Sequence, residues 1–343
     1  MQQFKLYNQI REFITKEGYM AVDKPFKTID EQINILEHRK LKFRNREHAK
    51  IVLRKYNYFD VVNGFDTLLL KKNGGASKEF ENAYFEDLLD LYNFDFQLKK
   101  VTLFKIFSIE SRLRTSIAYN FTESYCSTLA DTLNYVEPKY YQQPNPSNKY
   151  LMDRFSTFDL FKKTEYFPNG KVKKRSFIDE LKKDKDYVGE YNNPPMWVVI
   201  KSLPLGTLYL LFVFLTPDVK KKVLADFELE MKDVDAFEQV LYLLKEARNQ
   251  CAHLELISRF RVKRNKAANL NYYNDVTQFA GLSKSDLNYM DVLRILNKFE
   301  NIDDIKSVIK KFYFKEVIHG RKLVAEKVLA KMGRKDIKVW KKL

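Results

Sequence analysis

Apolar residues recur every three or four positions along most of this chain, a period that belongs to helices. The longest example begins at Phe85 and runs to Thr122. There Leu88, Leu91, Phe94, Leu98, Val101, Ile106, Ile109, Leu113 and Ile117 keep the spacing with no Pro or Gly between them, as one helix or two end to end. A shorter pair is predicted over residues 24–60. In "TIDEQINILEHRK", Thr28 stands as N-cap with Glu31 at capping-box distance, ahead of Ile29, Ile33 and Leu36. In "NREHAKIVLRKYNYF", Ala49, Leu53 and Tyr56 share one side. Further helices are expected at 195–215, 217–226 and 233–258. The last carries one apolar seam: Phe237, Val240, Leu244, Ala247, Cys251 and Leu254.

Between these stretches the polar positions mark connections. "KKNGGASK" (71–78) and the proline-containing 134–150 read as loops, and "FPNGK" as a turn inside a mixed, Lys-rich 151–190. The most apolar run is "MWVVIKSLPLGTLYLLFVFL" (Met196–Leu215), but Lys201, Ser202, Pro204 and Gly206 interrupt it. That makes it a buried hairpin or helix pair rather than a membrane span. No internal repeat or low-complexity tract is visible. With only 10 Gly and 9 Pro in 343 residues, the composition also disfavours an all-β or loop-rich protein.

Charge changes the picture more than composition does. The chain carries a net +16, which implies a polyanionic partner, nucleic acid or an anionic membrane, or else a source whose protein surfaces are all Lys-rich. The excess is concentrated. Arg39, Lys40, Lys42, Arg44, Arg46, Lys50, Arg54 and Lys55 stand against only Glu37 and Glu47, a local +6. "RFRVKRNK" contributes Arg259, Arg261, Lys263, Arg264 and Lys266 with no acid. Residues 302–343 add a net +8, with "IHGRKLVAEKVLAKMG" a basic amphipathic helix that suits a phosphate backbone or, as another reading, a membrane surface. All three regions are candidates for RNA-backbone contact. Two cysteines, Cys126 and Cys251, without a CxxC pair give neither a disulfide framework nor a zinc site. No metal or other cofactor is expected. "MQQFKLYNQIREFITKEGYM" lacks the apolar core of a signal peptide, so a cytoplasmic location is expected.

The candidate chemistry sits in "EARNQCAH". At about 100° per residue, Arg248, Asn249 and His253 turn away from the apolar seam, with small Ala252 among them, but Arg248 and His253 diverge by about 140°. Such a pair cannot grip one small group alone. It can line a cleft crossed by a ligand or shared with a second, antiparallel copy of the helix. The chemistry is that of metal-free RNA cleavage: a histidine moves the proton of the attacking 2′-OH, an arginine stabilises charge building on phosphorus, and Asn249 orients either. The other reading of so short a pattern is a solvated helix turn, with Arg248 paired to Glu246 or Glu255 and His253 capping or packing.

"RNQCAH" resembles the R-x4-6-H motif of HEPN-domain ribonucleases. Four more segments resemble the Abi family (AbiD/AbiF-like) of phage abortive-infection proteins, in that family's order: "KPFKTIDEQINILEHRKL", "LRKYNYFDVVNGF", "YNFDFQLKKVTLFKIFSIESRLRTSIA" and "PPMWVVIKSLPLGTLYLLF". Asp60, Asn63 and Phe65 depart from the family's commonest residues. The resemblance spans about 24–258 and implies an all-α, HEPN-like helical bundle. The expected organisation is a basic helical unit at 1–80, the HEPN-like domain at 81–258 with an insertion at about 134–190, and a basic helical extension at 259–343. It further implies a homodimeric endoribonuclease, paired through the Arg248–His253 helix and held in check by a structured noncoding RNA. Glu110 and Arg114, four apart in "IESRLR", are then candidates to orient Arg248 or His253, or else an ordinary surface pair. Asp95 is expected to serve helix packing, and His38, His48 and His319 nothing beyond surface or RNA contact. No second R-x4-H exists in the chain, so a monomer would hold half a cleft. A non-catalytic RNA-binding module using the same Arg/His face is the alternative, and a membrane-surface protein a more distant one.

Overall fold

The computed structural model describes residues 25–71, 78–166, 173–262 and 286–343. The fold is all-α. The described strands are two short antiparallel pairs, β1 (Lys163–Tyr166) with β2 (Lys173–Ser176) and β3 (Arg261–Val262) with β4 (Leu287–Asn288). The expected "FPNGK" turn, most of "KKNGGASK" and the N-terminal twenty residues lie outside the described residues. Compactness divides the chain into two units, Met1–Leu89 and Asp90–Leu343.

In the first unit, α1 (Ile29–His38) starts as the sequence requires. The Thr28 hydroxyl accepts the Glu31 N–H while the Glu31 carboxylate accepts the Thr28 N–H, completing the capping box. Asn45 caps α2 (Arg46–Lys55), and Ile33, Leu36, Ala49, Val52 and Leu53 are buried between the two helices and their surroundings. A π-helical turn (Phe59–Asn63) and the short α3 (Asp66–Leu69) follow.

The apolar run from Phe85 resolves into a single helix, α4 (Phe85–Tyr125), of 41 residues, and the boundary between the units falls within it. In the second unit come α5 (Lys149–Ser156), α6 (Phe177–Asp184), α7 (Asp186–Gly189) and α8 (Met196–Val199). They are followed by α9 (Leu205–Phe214), α10 (Pro217–Asp226) and α11 (Val234–Ala252). The Met196–Leu215 run is thus a helix pair broken at Pro204, and no described helix is long and apolar enough to cross a membrane. Because α9 is apolar on all sides, it lies buried all round, with Leu208, Leu211, Phe212 and Phe214 inaccessible. It pairs antiparallel with α11: Tyr209 meets Tyr242, Phe212 meets Phe237, and Gly206 faces the Lys245 stem.

The basic C-terminal stretch folds as α12 (Tyr289–Phe299), α13 (Asp303–Ile318), α14 (Lys322–Met332) and α15 (Ile337–Lys341). The amphipathic helix expected near Ile318 is α14, and it buries Ala325, Val328, Leu329 and Met332. Phe312 of α13 stacks on Phe94 of α4 at 3.9 Å, and Tyr289 of α12 shares a 2.6 Å hydroxyl hydrogen bond with Thr102 of α4.

Candidate functional site

The apolar seam of α11 forms largely as its spacing requires: Phe237, Val240, Leu244, Ala247 and Cys251 are all buried. The helix itself is shorter than expected. It ends at Ala252 rather than 258, His253 is its C-cap, and Leu254 leaves the seam to stand 55% exposed. The cause is a left-handed C-cap. Leu254 takes φ +60°, its N–H donates to the Cys251 carbonyl, and the Glu255 N–H reaches back to the Gln250 carbonyl at 3.0 Å. A Gly would ordinarily fill that position, since a side chain in this conformation costs about 1–2 kcal/mol.

Three side chains hold the turn. Gln250 Nε2 donates to the Leu256 carbonyl at 2.6 Å. Lys99 Nζ, from α4, donates to the Leu254 carbonyl at 3.0 Å. Asp95, one turn earlier on α4, accepts the backbone N–H groups of Ile257 (3.3 Å) and Ser258 (2.9 Å) and lies 3.3 Å from Lys99 Nζ. The ion pair is buried, with Asp95 at 0% exposure. Asp95 therefore does more than pack helices. Lys99 was not singled out in the sequence, although a signal existed: the spacing of Leu88 and Leu91, continued, lands on Asp95, Lys99 and Thr102 before returning to Ile106. The same buried surroundings push the Cys251 thiol up to about 12 and make it an inert core group.

Of the three motif residues, Arg248 and Asn249 are half-buried and His253 is exposed at the helix end. Arg248 pairs with neither Glu246, which binds Lys245, nor Glu255 within salt-bridge reach. Its Nε is buried without a hydrogen-bond partner. Glu110 is buried, which overturns the surface-pair reading. Arg114 Nη2 binds both Glu110 Oε1 and, at 2.9 Å, the Leu203 carbonyl. Glu110 Oε2 and Arg114 Nε, like Arg248 Nε, are buried without partners. The Glu110–Arg114 pair thus ties α4 to the Leu203 carbonyl, just before the Pro204 break that precedes α9.

The candidate RNA contacts fare differently. In the first unit Arg39 binds Asp66 (3.4 Å), Lys40 binds Glu79 (2.8 Å) and Arg44 lies 3.6 Å from Asp87. Arg46 binds Glu37 (3.2 Å) and Lys50 binds Asp30 (2.9 Å) and Glu47 (3.0 Å). Lys42, Arg54 and Lys55 have no carboxylate within 4.0 Å among the described residues; Lys42 and Lys55 lie over the Tyr84 and Tyr56 rings. In the second unit Arg259 is exposed, and Arg261 hydrogen-bonds the Phe260 and Lys331 carbonyls and anchors α14. Lys263, Arg264 and Lys266 lie outside the described residues.

One cluster has the composition of a metal site: Asp90, Glu316 and His319. Its charge is already met. Arg321 binds Glu316 through Nε (2.8 Å) and Nη2 (2.9 Å), and Lys315 Nζ lies 2.7 Å from Asp90. The guanidinium occupies the position a cation would take.

Compared with known proteins, residues 51–257 match the family described as Abi-like protein, more than half of the chain. No curated protein and no solved structure gives a match.

Proposed function

This chain belongs to the Abi-like protein family, and from that membership and the turn built around His253 we propose that it is a HEPN-type endoribonuclease acting in abortive-infection phage defence. The observation that carries the reading is the pairing of a half-buried, carboxylate-free Arg248 with an exposed His253 on a turn anchored by buried charge. An R-x4-H falls on many helices by chance; here Gln250, Lys99 and Asp95 fix the residues that follow the C-cap and so hold His253 at a defined helix end.

In the proposed reaction the ribose 2′-OH attacks the adjacent phosphorus. The O2′–P bond forms, the P–O5′ bond breaks, and the products are a 2′,3′-cyclic phosphate and a 5′-hydroxyl. His253 accepts the 2′-OH proton, Arg248 meets the charge on the phosphoryl oxygens, and Asn249 orients one of them. The His253 of a second copy delivers a proton to the leaving O5′, so the chain works as a homodimer through the end of α11. These groups complete the reaction without a metal. Glu110 and Arg114 serve to orient Arg248 or His253. Lys42, Arg54 and Lys55 contact RNA backbone, and a structured noncoding RNA keeps the enzyme in check.

Substituting His253→Ala tests the reading. Cleavage of RNA and toxicity to the host should fall at least about a hundredfold while RNA affinity and folding persist. Unchanged cleavage sinks the catalytic assignment. Wild-type protein that binds RNA tightly and never cuts it supports a non-catalytic RNA-binding module on the same face. RNA extracted from purified protein should have one discrete length; a ragged mixture removes the regulatory RNA.

A further inference from the structure

We propose that Asp95 and Lys99 are positioning residues for His253, acting through the backbone of the turn that follows it. The inference rests on reading His253 as the proton-transferring group.

The imidazole of His253 has no hydrogen bond of its own among the described residues, so the backbone of the C-cap sets where the ring can reach. That backbone leads straight into a left-handed residue that is not glycine, Leu254 at φ +60°. A strained residue of this kind persists only where its surroundings over-determine it. Here the surroundings are Lys99 Nζ on the Leu254 carbonyl at 3.0 Å and Asp95 on the N–H groups of Ile257 and Ser258. Both come from α4, the 41-residue helix, at consecutive turns of one face. The turn is thereby fixed to the longest described helix, not merely to its own.

The chemistry of the pair explains why both members are present. A lysine alone, buried beneath the carbonyl-rich C-terminus of α11, would answer the helix dipole but leave a desolvated charge. An aspartate alone would bind two N–H groups but carry an unpaired charge into the core. Together they are neutral, and each still spends a hydrogen bond on the turn. A hydrophobic pair of the same volume would strand the buried Ile257 and Ser258 N–H groups. A neutral acceptor at 95 with an apolar stem at 99 would satisfy them without buried charge, so holding Leu254, and His253 before it, accounts for the ion pair.

The test separates position from folding. Lys99→Met keeps the aliphatic stem and removes the donor to Leu254; Asp95→Asn/Lys99→Met removes the whole charge pair and so avoids an unpaired buried ion. In the double variant thermal unfolding should stay near wild type, while kcat for RNA cleavage falls about a hundredfold with KM within about twofold. The His253 ring signals in a proton–carbon NMR spectrum should shift and broaden in both variants. Wild-type His253 signals in a folded Lys99→Met or double variant overturn the proposal, as does a kcat loss that only tracks the unfolded fraction. The NMR arm needs no enzyme activity. Moved His253 signals in a chain whose wild type never cuts RNA sustain the clamp and sink the proposed nuclease alone.

Discussion

Between Leu36 and Lys55 the chain sets out eight basic residues and ties five of them to carboxylates, those of Arg46, Lys40 and Lys50 exposed or half-exposed, whereas behind His253 it places one ion pair, Asp95 with Lys99, and buries both partners. The first region is conspicuous in the sequence and the second is nearly silent. Their energetics run the other way. Exposed ion pairs are worth about 0–1 kcal/mol each and weaken in salt. Breaking a buried pair by removing one partner costs about 3–5 kcal/mol, because the other charge is stranded. Local charge density in a sequence is thus a poor measure of charge left free to act. The four partners that Arg39, Lys40, Arg44 and Lys50 find outside the segment, Asp66, Glu79, Asp87 and Asp30, arrive only on folding.

Stability measurements separate the two regions by the widest margin. Asp95→Ala should cost about 3–5 kcal/mol in denaturant unfolding, and Arg46→Ala less than about 1 kcal/mol. Equal losses would mean that the Asp95–Lys99 pair is solvated and holds nothing. A middle-sized effect concerns binding. Replacing Lys42, Arg54 and Lys55 together by Ala should weaken RNA binding and lower the slope of log affinity against log salt by about one per residue. The same triple replacement at Arg39, Lys40 and Lys50 should change that slope far less, since their charges are already matched. An identical slope change from both triples would return the whole segment to RNA contact. The smallest effect is at the turn itself: Leu254→Gly should stabilise the protein by about 1 kcal/mol, because it removes the left-handed strain and exposes no core. Destabilisation there would show that the Leu254 side chain, not the clamp beneath it, holds the turn.

Periodicity alone was enough for the helices that bury one face. The capping box at Thr28, the seam of α11 and the uninterrupted run of α4 are local patterns, set by residues three and four apart, and a local rule reads them. Family resemblance in four ordered segments was equally legible, and the matched stretch 51–257, which holds three of them, shows membership. The place where α11 stops was not legible. Nothing in "CAHLELIS" contains the Gly that usually ends a helix, so the seam appeared to run on through Leu254. The chain turns there because Lys99 and Asp95, some 155 and more positions away in sequence, satisfy the carbonyl and N–H groups that a continuing helix would have paired internally.

By itself the sequence determined an all-α chain of the Abi-like family with one R-x4-H and a large basic excess, since each of these is a matter of composition or short-range spacing. Tertiary structure decided which charges remain unmatched, that Glu110 is buried rather than a surface partner, and that His253 is a helix C-cap on an anchored turn. Those depend on which distant groups meet, and in a folded chain the strength of a charge is set by burial and partners that no local pattern records.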